Sequence, residues 1–159
     1  MTTIYFDLDG TLTDPKPGIT RSIQYALRKL DRPAPSEDEL TWCIGPPLRA
    51  SLKKLLGTDE LADRAVSLYR ERFGDIGIFE NEVYPGIEGT LSALARPGRR
   101  LFVATSKPLV YAERIIDHFK LTAYFERACS VRSWMAHAPT RPSCWVTPSR
   151  PAASIHRWQ

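Results

Sequence analysis

The chain has 159 residues, a formal charge of +4 and 43% apolar residues, roughly one soluble domain's worth of sequence. No stretch approaches the ~20 apolar residues of a membrane span, so no membrane partner is expected. The N-terminus runs directly into strand pattern, so no signal peptide is expected either. Cys43, Cys129 and Cys144 are odd in number and lack metal-ligand spacing, the usage of free thiols in a reducing cytoplasm.

Ile4-Tyr5-Phe6 predicts a buried strand, which runs into Asp7-Leu8-Asp9-Gly10-Thr11-Leu12-Thr13. Asp7 and Asp9, two apart on one strand, point the same way and repel unless a cation or a reaction uses them. A strand ending in a polar turn accounts for Asp9-Gly10 but not for Asp7. Asp14 to Gly18 is a loop. Ile19, Ile23, Ala26, Leu27 and Leu30 then recur at helical spacing, predicting a helix over 19–31. Ser36 followed by Glu39 predicts a capping box that opens a second helix. Gly45-Pro46-Pro47 is a break. Leu48, Leu52, Leu55 and Leu56 mark a further helix. Thr58 or Asp59 caps another, with the stripe Leu61, Ala65, Leu68, Phe73. Residues 15–85 therefore form a run of helices without a convincing strand.

Tyr84-Pro85-Gly86 leads into a helix carrying Ile87, Leu91 and Leu94, which Pro97-Gly98 stops. Leu101 to Thr105 is a second buried strand, and a helix follows to about His118. Strand, helix, strand makes the two strands parallel with a right-handed crossover. Their carboxyl ends then share the sheet edge where ligands bind in open α/β folds. Thr105 thus comes beside Asp7. Its hydroxyl, with main-chain N–H groups of Ser106 and the helix start, can hold phosphate oxygens. A third strand begins near Ala128 to Val131.

Asp7-Leu8-Asp9-Gly10-Thr11-Leu12 resembles the first motif of the haloacid dehalogenase superfamily of phosphohydrolases. Thr105-Ser106-Lys107-Pro108 resembles the second motif of its phosphoglycolate-phosphatase-like branch. The resemblance implies an α/β fold, a parallel-sheet core with an inserted helical cap. Residues 1–14 and 86–127 would be the first half of that core and 15–85 the cap. It implies Asp7 as nucleophile, forming an aspartyl-phosphate, and Asp9 as general acid and then base. Gly10, Thr105 and Ser106 would bind phosphate. Magnesium would be held by the Asp7 carboxylate, the Asp9 main-chain carbonyl and an acid from later in the chain. The substrate class is a small phosphate monoester, phosphoglycolate-like or nucleotide-like, in the cytoplasm. Arg49 follows the cap's glycine-containing turn and is a candidate for an anionic substrate; on a helix it is equally a solvated arginine. Lys107 is a further candidate substrate contact.

The family also needs a lysine and an acidic motif after the third strand, yet no lysine follows Lys120 and no acid follows Glu126. The alternative to an enzyme is therefore a truncated, inactive relative, with Lys107 a partial substitute for the lysine. Residues 128–159 read as an irregular basic tail. Five arginines lie from Arg127 onward, and residues 1–126 alone carry −1. A basic tail can bind nucleic acid, but tryptophans and prolines interrupt this one without a recognition motif, so no nucleic-acid partner is expected. The tail has the composition of an out-of-frame translation. Joining the last base of each codon to the first two of the next, Trp134-Met135 forces aspartate and Met135-Ala136 forces glycine. Likewise Cys144-Trp145 forces leucine and Trp145-Val146 glycine. With permitted codons elsewhere, Val131 to Trp145 encodes Ser-Glu-Leu-Asp-Gly-Thr-Arg-Ala-Asp-Lys-Ala-Glu-Leu-Leu, which contains the missing lysine and resembles what this branch carries after its third strand.

Overall fold

The structure is a computed structural model that describes residues 2–130, with the backbone alone for 127–130. Strand β1 (Thr2–Phe6) ends at the acidic motif, and a short strand β2 (Thr13–Asp14) follows. Three helices come next: α1 (Lys16–Lys29), α2 (Leu48–Leu56) and α3 (Asp59–Asp75). Strand β3 (Glu82–Val83) precedes α4 (Ile87–Leu94), β4 (Arg99–Thr105), α5 (Leu109–His118) and β5 (Arg127–Ser130). The sheet order is β1-β4-β5, all parallel, with Phe6 opposite Val103 and Thr105 opposite Ser130. This is the expected α/β architecture, with a helical insert between β1 and β4.

The insert is entered and left through one ribbon. β2 and β3 pair antiparallel, Thr13 opposite Val83 and Asp14 opposite Glu82, and Tyr84 N–H donates to the Leu12 carbonyl at 3.1 Å. Sequence pattern missed both strands, because two residues show no alternation. The remaining differences have local causes. α1 begins three residues earlier than its apolar stripe, since Pro17 suits a first helical turn. The Ser36–Glu39 box forms, with Ser36 N–H donating to Glu39 Oε2 at 2.9 Å and Glu39 N–H to Ser36 Oγ at 3.3 Å. It opens only turns and a single 3-10 turn, Thr41–Cys43, rather than a helix, because Gly45-Pro46-Pro47 follows too soon. Nor is β1 a buried strand: Ile4 and Phe6 are half-buried and Tyr5 is 54% exposed. Among the described residues β1 pairs along one edge only, and Tyr5 stacks on Phe102, centroids 5.4 Å apart.

One apolar core runs through sheet and insert. Leu8 and Leu12 of the acidic motif, Ile23 and Leu27 of α1, Leu52 of α2, Ala65 of α3, Leu91 of α4, Val103 of β4 and Ile115 of α5 are buried within it. Each of these leucine, isoleucine and valine side chains contributes about 1.5–3 kcal/mol over its exposed state. The acidic motif is thus anchored by its own leucines, Leu8 and Leu12. α1 closely approaches the 3-10 turn Gly77–Phe79 that follows α3: a Cβ on Gly18 would lie 2.1 Å from the Gly77 carbonyl oxygen. Beside this approach Arg72 donates to both Glu80 carboxylate oxygens, at 2.7 and 2.9 Å, and to Ser22 Oγ at 3.2 Å. Cys43 is a buried free cysteine, and burial pushes its thiol up. The side chains of Cys129 and Cys144 lie outside the described residues, as does residue 131 onward, where the basic tail and its alternative frame fall. No described helix is long and apolar enough to cross a membrane.

Candidate active site

The site is assembled at the carboxyl end of the sheet. Asp7 follows the last β1 residue and is exposed; its Oδ1 accepts the Leu8 N–H at 2.7 Å. The Leu8 carbonyl then accepts N–H bonds from Thr11, Leu12 and Thr13 at 3.4, 3.0 and 3.0 Å. Gly10 N–H returns to the Thr13 carbonyl at 2.8 Å with the glycine at φ +80°, a left-handed conformation that glycine adopts without a Cβ penalty. This tight loop turns the chain out of β1 into the ribbon while Leu8 and Leu12 stay in the core. Asp9 sits within the loop, its side chain 25% exposed.

β4 delivers the second set. With Phe6 opposite Val103, Asp7 lies one residue beyond that pair and Thr105 two, both at the carboxyl edge of the sheet. Thr105 is buried at 1% exposure, and its Oγ1 accepts the Lys107 N–H at 3.1 Å. That leaves the hydroxyl proton free for an oxygen of a ligand. Ser106 is exposed in the turn before α5. Lys107, the other candidate substrate contact, faces Asp9. Its Nζ donates to both Asp9 oxygens, at 2.9 and 2.7 Å, with only 5% of its side chain exposed. The same ammonium lies 5.0 Å from the centre of the Phe73 ring of α3.

α3 contributes an aromatic wall, of which the apolar stripe Leu61, Ala65, Leu68, Phe73 held Phe73 but not Tyr69. Tyr69 and Phe73 stack with centroids 5.1 Å apart, and Tyr111 of α5 meets Phe73 edge-on at 5.3 Å. The Tyr69 hydroxyl is pushed well above its ordinary range by burial first, then by the Asp9 charge. Nothing in the i, i+4 spacing of Tyr69 and Phe73 separates such a wall from ordinary core.

Arg49 is not left free for a substrate. On the outer surface of α2 and α3 its guanidinium donates to Asp63 at 2.6 and 3.1 Å and pairs with Asp59 at 2.9 Å. These two carboxylates raise its already high pKa further.

The donors available to a cation are hard oxygens, the chemistry magnesium prefers. Asp7 is exposed, and of its two carboxylate oxygens Oδ1 accepts the Leu8 N–H. Among the described residues no three His, Cys, Asp or Glu side chains cluster as a metal group. The described residues therefore fit part of a magnesium shell. Magnesium commonly keeps several waters and takes only one or two carboxylates from the protein.

Residues 4–143 match the model of the haloacid dehalogenase-like hydrolase family. The chain belongs to this family. A 5'-nucleotidase of Pseudomonas aeruginosa is 49% identical over 124 residues, 77% of this chain and 56% of that protein. A phosphoglycolate phosphatase of Aquifex aeolicus is 32% identical over 126 residues, 79% of this chain and 59% of that one. The solved structure of protein tyrosine kinase A from Mycobacterium tuberculosis superposes with a TM-score of 0.71 at 38% identity, covering 81% of this chain and 59% of that one. The family chain described here thus spans little more than half the length of these relatives.

Proposed function

We propose that the site is that of a phosphatase acting on small phosphate monoesters, phosphoglycolate-like or nucleotide-like, through an aspartyl-phosphate on Asp7. The observation that supports this is the meeting of Asp7, Asp9 and Thr105 at one sheet edge, set by the β1–β4 register. Family membership and the names of the relatives support the reaction class.

In this reading an Asp7 carboxylate oxygen attacks phosphorus, and the bond from phosphorus to the ester oxygen breaks. Asp9 delivers a proton to the departing oxygen, giving an alcohol, and later takes one from the water that cleaves the acyl phosphate. Thr105 Oγ1 donates to a phosphoryl oxygen, and the Ser106 N–H is a further candidate for the same task; the Gly10 N–H, expected to join them, is taken by the Thr13 carbonyl. Magnesium, held by the Asp7 carboxylate and the Asp9 carbonyl, supplies charge neutralisation when bound. The insert is the cap over residues 15–85, between core segments 1–14 and 86–127, and it selects the leaving group. The tyrosine kinase relative supports a second reading, phosphoryl transfer from the same Asp7 chemistry to an acceptor other than water.

The test is phosphoenzyme trapping after a magnesium-dependent turnover with p-nitrophenyl phosphate and with a nucleoside 5'-monophosphate. Asp7→Asn should lose trapped phosphate and turnover together. Turnover in Asp7→Asn equal to that of the parent chain would remove the mechanism.

A further inference from the structure

Lysine is almost never buried without a partner, so the position of Lys107 calls for an account. Its ammonium has three hydrogens. Both Asp9 oxygens accept from it, at 2.9 and 2.7 Å, and its other neighbour is the Phe73 ring, 5.0 Å from centroid to Nζ. Two bonds to the two oxygens of one carboxylate fix its rotation, where a single bond would leave it free to turn. The ammonium is itself held on the other side by an aromatic face, an attraction that strengthens when water is excluded.

Phe73 belongs to the insert, and Lys107 to the turn between β4 and α5. The seam between these two parts is dry and well tied. Phe73 is 2% exposed, Tyr69 7%, and Arg114 of α5 donates to the Gly74 carbonyl at 2.6 Å. A displacement of α3 from α5 would strip Phe73 from Lys107 and admit water to the ammonium. In the phosphatase reading Asp9 gives and takes the proton: once protonated it keeps one oxygen for Lys107 and turns the other, with its hydrogen, to the leaving oxygen.

We propose that Lys107 is a positioning residue for Asp9, and that it is the contact through which the seating of the helical insert sets the aim of that carboxylate. Phe73 aims Lys107, and Lys107 aims Asp9. The kinetic consequence rests on the phosphatase reading; the latch between insert and sheet does not. A proton-transfer group that is present but misaimed loses part of the 10²–10⁴-fold such groups supply. The loss falls on leaving oxygens that need the proton.

Two measurements test this on the full chain. The first is reductive methylation, read at each lysine by mass spectrometry. In the parent chain Lys107 should label severalfold more slowly than the exposed Lys29 and Lys120. Asp9→Asn and Phe73→Leu should each bring it towards their rate. Lys107 labelling as fast as Lys29 in the parent chain overturns the latch, whatever the chain catalyses. The second is kcat/KM, which reports the step in which the leaving group departs, for an alkyl phosphate and for p-nitrophenyl phosphate. Lys107→Met should lower the first about 10–100-fold and the second much less, with Lys107→Arg recovering part of the loss. Equal losses on both substrates overturn the positioning role. A parent chain without turnover on either substrate counts against the phosphatase reading, and the labelling still decides the latch.

Discussion

Gly18→Ala separates packing from propensity at one position. Gly18 lies in the first turn of α1 with an ordinary helical backbone, so intrinsic propensity favours alanine by about 0.8–1 kcal/mol. The structure opposes this. An added Cβ would stand 2.1 Å from the Gly77 carbonyl oxygen, 3.0 Å from its carbon and 3.3 Å from Asn81 Oδ1. The first two are backbone and cannot swing aside as a side-chain tip would, so α1 must move off the turn that closes α3. Forced overpacking of this kind costs about 1–3 kcal/mol, and the shift also strains the neighbouring Arg72–Glu80 and Arg72–Ser22 bonds. Net destabilisation of about 0–2 kcal/mol is expected once propensity is subtracted. Gly89→Ala is the control. Gly89 is inside α4 and a Cβ there meets nothing within 4 Å, so this variant should gain about 0.4–1 kcal/mol. Both are read from urea midpoints followed by circular dichroism. A Gly18→Ala midpoint at or above that of Gly89→Ala would refute the close approach of α1 to Gly77.

Two further outcomes are expected. The Glu80 carboxyl is held below its ordinary range chiefly by the hydrogen bonds from Arg72, and burial opposes this. Its stabilising effect is therefore complete above the unfolded value near 4.5 and fades as pH falls through the lower folded value. Glu80→Gln should cost about 2 kcal/mol at pH 7 and flatten the acid limb of a stability–pH profile; an unchanged limb would show that the pair contributes nothing. For the segment from residue 131, sequencing the gene around codons 127–131 should show that the alternative frame encodes Ser-Glu-Leu-Asp-Gly and a lysine. A stop codon in that frame before an acidic motif would end the idea. Where the frame holds, restoring one base should bring magnesium-dependent phosphatase activity.

Much of the site was legible because its chemistry is local. Asp7, Asp9 and Gly10 fall within four residues, where a polar turn accounts for Asp9-Gly10 but not for a charge at Asp7 beside an apolar strand. The partnership of Thr105 with Asp7 followed from topology alone, since strand, helix, strand brings both carboxyl ends to one edge. Helices α2, α3, α4 and α5 were legible from apolar stripes at helical spacing. What escaped were pairings between residues far apart in sequence. β2 and β3 are too short to show a period, and exist because the two connections to the insert run side by side. Arg49 could be placed on a helix but not paired, because only the packing of α2 on α3 sets Asp59 and Asp63 in reach of it. Lys107 could be seen beside a phosphate motif. That it grips Asp9 beneath Phe73, 98 residues from its partner in the chain, was decided by where α3 settles on α5. Local spacing determines periodicity and turn chemistry; the burial of a charge depends on every segment that closes over it.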